Sequence, residues 1–211
     1  MTNLVKICGI KTQKFIDICV NAKADFIGFN NFAKSPRYVS MNAMDALITH
    51  APKSVKTVIL TVNPSLADIE KIARLNPDYI QLHGQETTEL CDYIKSKTKM
   101  KVIKAVPIAN EDDVLNARSF EKHVDILLFD AKPIAGAILP GGNGQAFNWQ
   151  LLEDQNFECQ TMLAGGLNST NVELAMAQSH INVVDISSAV EIERGVKDQN
   201  LIEEFIRKVK G

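Results

Sequence analysis

Acidic and basic residues nearly balance in this chain of 211 residues, 25 against 23, and the net charge of −2 argues against a broad nucleic-acid-binding surface. A hydrophobic content of 45% fits a globular protein with a large core, and no apolar run approaches the length that spans a bilayer. The N-terminal MTNLVKICGI runs straight into a strand-like pattern without a secretory leader, and Cys8, Cys19, Cys91 and Cys159 form no CxxC pair and no zinc site, so a cytoplasmic setting with reduced thiols is expected.

In chain order, short β-branched runs predict strands at 4–8 (LVKIC), 25–30 (DFIGFN), 55–62 (VKTVILTV) and 79–84 (YIQLHG). They continue at 101–108 (KVIKAVPI), 125–130 (DILLFD), 161–166 (TMLAGG) and 183–188 (VVDISS). Between them apolar residues recur at helical spacing, as in Leu66, Ile69, Ile72, Ala73 or Leu90, Tyr93, Ile94. The basic run KSKTKMKVIK (95–104) reads as a solvated helix end entering a strand, and Phe147 and Trp149 as core anchors of the helix after the sixth strand.

Strands alternating with helices pair in parallel, because each helix carries the chain back across the sheet. An open doubly wound sheet and a closed (β/α)8 TIM barrel both fit the alternation. Eight units recurring about every 26 residues, with no Pro/Gly/Ser-rich linker, favour the closed α/β barrel as a single domain over 1–211.

Chemistry in such barrels sits at the C-terminal strand ends, which makes the exits a set of pocket candidates. They are Cys8, Asn30, Asn63, His83, Pro107, Asp130, Gly165 with Gly166, and Ser187 with Ser188. Glycines gather in GGNG (141–144, including Gly142 and Gly144) and in AGG (164–166), where Asn168 or Ser169 is placed to cap the next helix. Glycines let backbone amides approach an anion, and the serine pair adds hydroxyls, so these exits are expected to bind the phosphate of a small-molecule substrate. Turn glycines alone are the plainer alternative.

Cys8 and Asp130 end strands on opposite sides of an eight-strand ring. A thiol there could serve as a base with help from local dipoles. A carboxyl beside ILLF could stay protonated and act as a general acid. The plainer readings are a core cysteine and a capping aspartate. His83 reads as a hydrogen-bonding wall more than a proton shuttle. Arg37, stiffened by Pro36, suits a carboxylate or phosphate, or else a surface salt bridge.

KICGI (6–10), KSPRYVS (34–40), QLHGQE (81–86), LLFD (127–130), GGNGQAFNW (141–149), LAGGLN (163–168), VDISSAVE (184–191) and GVKD (195–198) together resemble the phosphoribosylanthranilate isomerase family from end to end. The resemblance implies a (β/α)8 barrel without cofactor or metal that performs an Amadori rearrangement in tryptophan biosynthesis. It matches Asp130 to the general acid, Cys8 to the general base, Arg37 to the residue that orients the anthranilate carboxylate, and the glycines and serines to the phosphate site. Barrels of this family are monomers or homodimers. Asn143, Asn148, Ala189 and the asparagines of GFNNFAKSPR depart from the family pattern. Of these, a methyl at Ala189 is expected to matter most if the loop needs a positive φ. The alternatives are another phosphosugar isomerase or epimerase, which as a metal enzyme would need more ligands than His83 and Asp130, and a non-catalytic barrel binding phosphorylated ligands.

Overall fold

The computed structural model describes residues 2–133, 141 and 144–211. Eight parallel strands close into a barrel in chain order, the last pairing with the first: Leu4–Cys8 (β1), Phe26–Asn30 (β2), Lys56–Thr61 (β3), Tyr79–Leu82 (β4), Lys101–Ile108 (β5), Ile126–Ala131 (β6), Gln160–Leu163 (β7) and Val183–Ile186 (β8). Helices on the outside carry the chain back: Gln13–Asn21 (α1), Met41–His50 (α2), Leu66–Arg74 (α3), Thr88–Lys97 (α4), Glu111–Arg118 (α5), Val172–Ser179 (α6) and Gln199–Lys210 (α7). The closed (β/α)8 barrel expected from the spacing is therefore the fold, and the basic run does pass from the end of α4 into β5.

Two departures follow from local chemistry. The connection from β6 to β7 holds, among the described residues, only a 3-10 turn, Trp149–Leu152, in place of the expected helix. Its anchor role is kept: Trp149 is buried, and Asn148 caps the turn by accepting from the Gln150 amide at 3.2 Å. After β8 the chain makes a small antiparallel hairpin, Glu191–Glu193 (β9) with Val196–Lys197 (β10), that two- and three-residue strands do not announce in sequence.

Period-two alternation explains the interior. Phe26, Tyr79, Ile126 and Val183, from the even strands, form one apolar floor with Val58, Ile103 and Met162 from the odd ones. Two residues along each even strand lie Gly28, Gln81, Leu128 and Asp185, and two further lie Asn30, His83, Asp130 and Ser187. The same phase therefore runs from oil at the bottom to polar groups at the mouth. The outer faces of the strands and the helices share the larger core, in which α7 buries Ile202, Phe205, Ile206 and Val209 at helical spacing.

Asp25, Asp78 and Asp125 each stand one residue before an even strand and accept the backbone amide of the strand before it. Val5 donates to Asp25 at 2.7 Å, Thr57 to Asp78 at 2.9 Å and Val102 to Asp125 at 2.8 Å. Removing one of these acceptors strands a buried amide. Asp78→Ala is expected to cost about 1–3 kcal/mol in urea unfolding, and wild-type stability would contradict it.

Candidate active site

The strand exits surround one cavity of about 870 Å3 counting its open mouth, within the size range of small-molecule sites. Cys8 and Asp130 both line it, and each is almost fully buried except toward that space. Arg37, His83, Gly144, Gly165, Gly166, Ser187 and Ser188 line it too. Gly142, like Asn143, lies outside the described residues. Two exit residues do not reach the cavity. Asn63 turns the backbone at φ 48° and accepts the Gln85 amide, while Pro107, in the inward phase of Ile103 and Ala105, is exposed near the end of β5 without lining the cavity.

Cys8 occupies the last position of β1, opposite Gly28 of β2 in the register. A Cβ on Gly28 would stand 3.0 Å from the thiol sulfur, so the glycine makes the room in which Sγ sits. Burial pushes the Cys8 thiol up, against the pull of the Lys6 and Lys197 ammonium groups. Cys19 and Cys91 are buried among core side chains, as their sequence context suggests. Burial pushes Cys19 up to about 12 and Cys91 up to about 11, which makes them poor nucleophiles.

Asp130 closes β6 with its Oδ1 accepting the Ala131 amide at 2.8 Å and its Oδ2 3.2 Å from His83 Nε2. The other ring nitrogen, Nδ1, lies 3.1 Å from Gln81 Nε2, two residues back on the same inward face. The Gln81 amide thus braces one ring nitrogen while the other faces the Asp130 carboxyl. His83 lines the cavity wall with Nε2 turned toward that carboxyl.

Arg37 is buried, not a surface residue. It pairs bidentately with Glu191 of β9, Nε to Oε1 at 2.7 Å and Nη2 to Oε2 at 2.9 Å. Lys197 of β10 donates to the same carboxylate at 2.8 Å and to the Ser187 carbonyl at 2.8 Å. Ser187 Oγ in turn donates to the Cys8 carbonyl at 3.1 Å. Burial alone would raise the Glu191 carboxyl, yet Arg37 and Lys197 hold it down to about 2. The stem of Arg37 crosses Gly9, which takes φ 84° and where a Cβ would collide with Arg37 Cδ. The hairpin therefore pins the arginine to the exit of β1.

Gly165 and Gly166 adopt φ of 79° and 65°, conformations costly for other residues, and bend the chain over the mouth after β7. Asn168 Oδ1 accepts the Thr170 and Asn171 amides and so organises the turn into α6, although the helix itself begins only at Val172. A Cβ on Gly165 would stand 2.5 Å from the Ala131 amide nitrogen and 3.0 Å from Asp130 Oδ1. Gly165→Ala is expected to cost about 1–3 kcal/mol of stability and to lower kcat/KM, checked by urea unfolding and steady-state kinetics. An unchanged enzyme would show that this turn holds nothing.

The departures at the exits are absorbed. Asn30 Oδ1 accepts the Phe32 amide at 2.8 Å and Asn31 Nδ2 donates to the Val39 carbonyl at 3.3 Å, which fixes the loop leading to Arg37. Ala189 is exposed in a short turn, does not take a positive φ and does not line the cavity, contrary to the expectation that its methyl would matter. Sequence reading passed over Lys6, Gln81, Asp185, Glu191 and Lys197. Period two counted back from Cys8, His83 and Ser187 would have found the first three, since it gives polar residues on the inward face. Among the described residues, no three His, Cys, Asp or Glu side chains gather to hold a metal ion, and no helix is long and apolar enough to cross a membrane.

The profile of the family described as N-(5'-phosphoribosyl)anthranilate (PRA) isomerase matches residues 5–208. The N-(5'-phosphoribosyl)anthranilate isomerase of Parvibaculum lavamentivorans is 42% identical, covering 100% of this chain and 99% of its own length. That of Beijerinckia indica is 41% identical over 98% of this chain and 93% of its own. The crystal structure of phosphoribosyl anthranilate isomerase from Thermotoga maritima superposes with a TM-score of 0.89 at 34% identity, covering 99% of both chains. A phosphoribosyl anthranilate isomerase solved in complex with reduced 1-(o-carboxyphenylamino)-1-deoxyribulose 5-phosphate gives 0.86 at 32% identity, again over 99% of both. The chain belongs to the N-(5'-phosphoribosyl)anthranilate isomerase family.

Proposed function

We propose that the chain, acting as one barrel domain in the cytoplasm, converts N-(5'-phosphoribosyl)anthranilate to 1-(2-carboxyphenylamino)-1-deoxyribulose 5-phosphate in tryptophan biosynthesis, with Asp130 as general acid and Cys8 as general base. One observation carries the reading: a thiol from β1 and a carboxyl from β6 line the same cavity as the glycine and serine exits of the β6–β8 sector.

The substrate phosphate docks on the exits around Gly144, Gly165, Gly166, Ser187 and Ser188. Arg37 receives the anthranilate carboxylate on the edge of its guanidinium that Glu191 leaves free. Asp130 gives its proton to the furanose ring oxygen, the C1′–O bond breaks, and the nitrogen lone pair forms a Schiff base. That electron sink makes the C2′ hydrogen acidic. The Cys8 thiolate removes it, and the electron pair moves to give an enolamine. Protonation at C1′ and loss of the C2′ hydroxyl proton then yield the ketone. The iminium stage stores the electrons, so the reaction needs no cofactor or metal. Every group named comes from one chain, and a monomer suffices for the chemistry.

Purified protein given freshly prepared substrate is expected to abolish the substrate's fluorescence as product forms; persistence of that fluorescence at high enzyme concentration would overturn the proposal. The raised thiol sets the pH dependence. A base that is largely protonated at neutral pH becomes available as pH rises, so kcat/KM is expected to climb from neutral to alkaline conditions before the fold or the acid fails. A kcat/KM that falls over that range would argue against a thiolate base.

A further inference from the structure

Lys6 is fully buried inside the barrel, two residues before Cys8 on the same inward face of β1, in the layer otherwise filled by Val58, Ile103 and Met162. Its Nζ lies 2.9 Å from Oδ1 of Asp185, its register partner on β8. That contact is off the line of a hydrogen bond, and neither atom has an aligned partner among the described residues. An ammonium has three protons to place, and a buried one is costly unless they are used. The only acceptor one step above it on its own strand is the sulfur that opens into the cavity.

We propose that Lys6 is a positioning residue for the Cys8 base, the buried counter-ion that receives the thiolate, and that Asp185 competes with the thiolate for it. The inference rests on the reading of Cys8 as the base. When the thiol ionises, the S–H bond breaks, its electron pair stays on Sγ, and the proton leaves through the open cavity to water. Lys6 keeps its three protons and turns one toward the sulfur. The other charge acting on Cys8 is Lys197 on β10, and Asp130 on β6 with His83 after β4 are the titratable groups next to Asp185. Burial opposes ionisation of Cys8; among its neighbours Lys6 relieves that opposition and Asp185 adds to it. The two halves of one ion pair should thus act on the thiol with opposite signs. A purely structural pair tying β1 to β8 could not do this, because losing either half would damage the site alike.

Alkylation of Cys8 by iodoacetamide as a function of pH, followed by peptide mass spectrometry to separate it from Cys19, Cys91 and Cys159, reads ionisation without turnover. Lys6→Met is expected to move the midpoint up by about one pH unit or more, and so to slow alkylation at least about tenfold near pH 7.5. Asp185→Asn is expected to move the midpoint down and speed alkylation several-fold. Lys6→Met with Asp185→Asn, which leaves no unpaired buried charge, is expected to stay slower than wild type and serves if the single lysine variant does not fold. Midpoints that move in the same direction in both single variants, or do not move, overturn the proposal. Midpoints that move as expected while Cys8→Ala keeps turnover would leave the charge cluster standing and sink the base assignment. Loss of turnover in Cys8→Ala with unmoved midpoints would do the reverse.

Discussion

Cys8→Ala and Asp130→Asn are each expected to lower kcat by about 10²–10⁴-fold, the range that a positioned general acid or base supplies. Asp130→Asn is isosteric and Cys8→Ala removes one heavy atom, and neither side chain carries the packing of the barrel. The Sγ sits in space left by Gly28, and the Asp130 carboxyl bonds mainly its own strand exit and His83. The unfolding midpoint in urea should therefore move little. The two losses differ in character. With Cys8→Ala the ring can still open, so the Schiff base forms and stalls. With Asp130→Asn the ring oxygen receives no proton and the reaction stops a step earlier. Turnover that survived both substitutions would remove the acid and base roles together.

Arg37→Ala is expected to raise KM by about 10–100-fold with a smaller change in kcat, since a charge-assisted hydrogen bond contributes about 1.5–3 kcal/mol. The substitution also strips Glu191 of its bidentate partner, leaving Lys197 and the Gly195 amide to hold a buried carboxylate. Some loss of stability should accompany the loss of binding. Arg37→Lys should not restore KM, because an ammonium cannot pair with Glu191 through two parallel bonds and keep a free edge for a second carboxylate. A full rescue by lysine would show that charge alone, and not the fork, is what the substrate meets. Steady-state kinetics on the three proteins separate these outcomes.

The barrel was legible because its signals are local and repeated. Runs such as KTVILT and ILLFDA are too short and too β-branched for helices, and LADIEKIAR between strands keeps a helical phase with a Ser65–Asp68 capping box at its start. Strand exits could be read as a pocket because parallel β/α units force all C-terminal ends to one side. What stayed hidden depends on contacts distant in sequence. Arg37 meets Glu191 across 154 positions, and the hairpin that presents Glu191 and Lys197 has strands too short to show alternation. Lys6 was passed over although it shares the inward phase of Cys8. Only closure of the barrel, pairing β1 with β8, sets it against Asp185. Asn63 erred the other way: it follows a strand, but its side chain accepts the Gln85 amide and its own amide donates to Glu86, so both are spent on the turn.

A crystal structure of this protein with reduced 1-(2-carboxyphenylamino)-1-deoxyribulose 5-phosphate tests the central claim most directly. The expected electron density places the phosphate against the amides and hydroxyls of Gly165, Gly166, Ser187 and Ser188, the carboxylate on Arg37, and the C1′–C2′ bond between Cys8 Sγ and the Asp130 carboxyl. A ligand bound with its phosphate elsewhere, or with Cys8 and Asp130 both remote from C1′ and C2′, would contradict it.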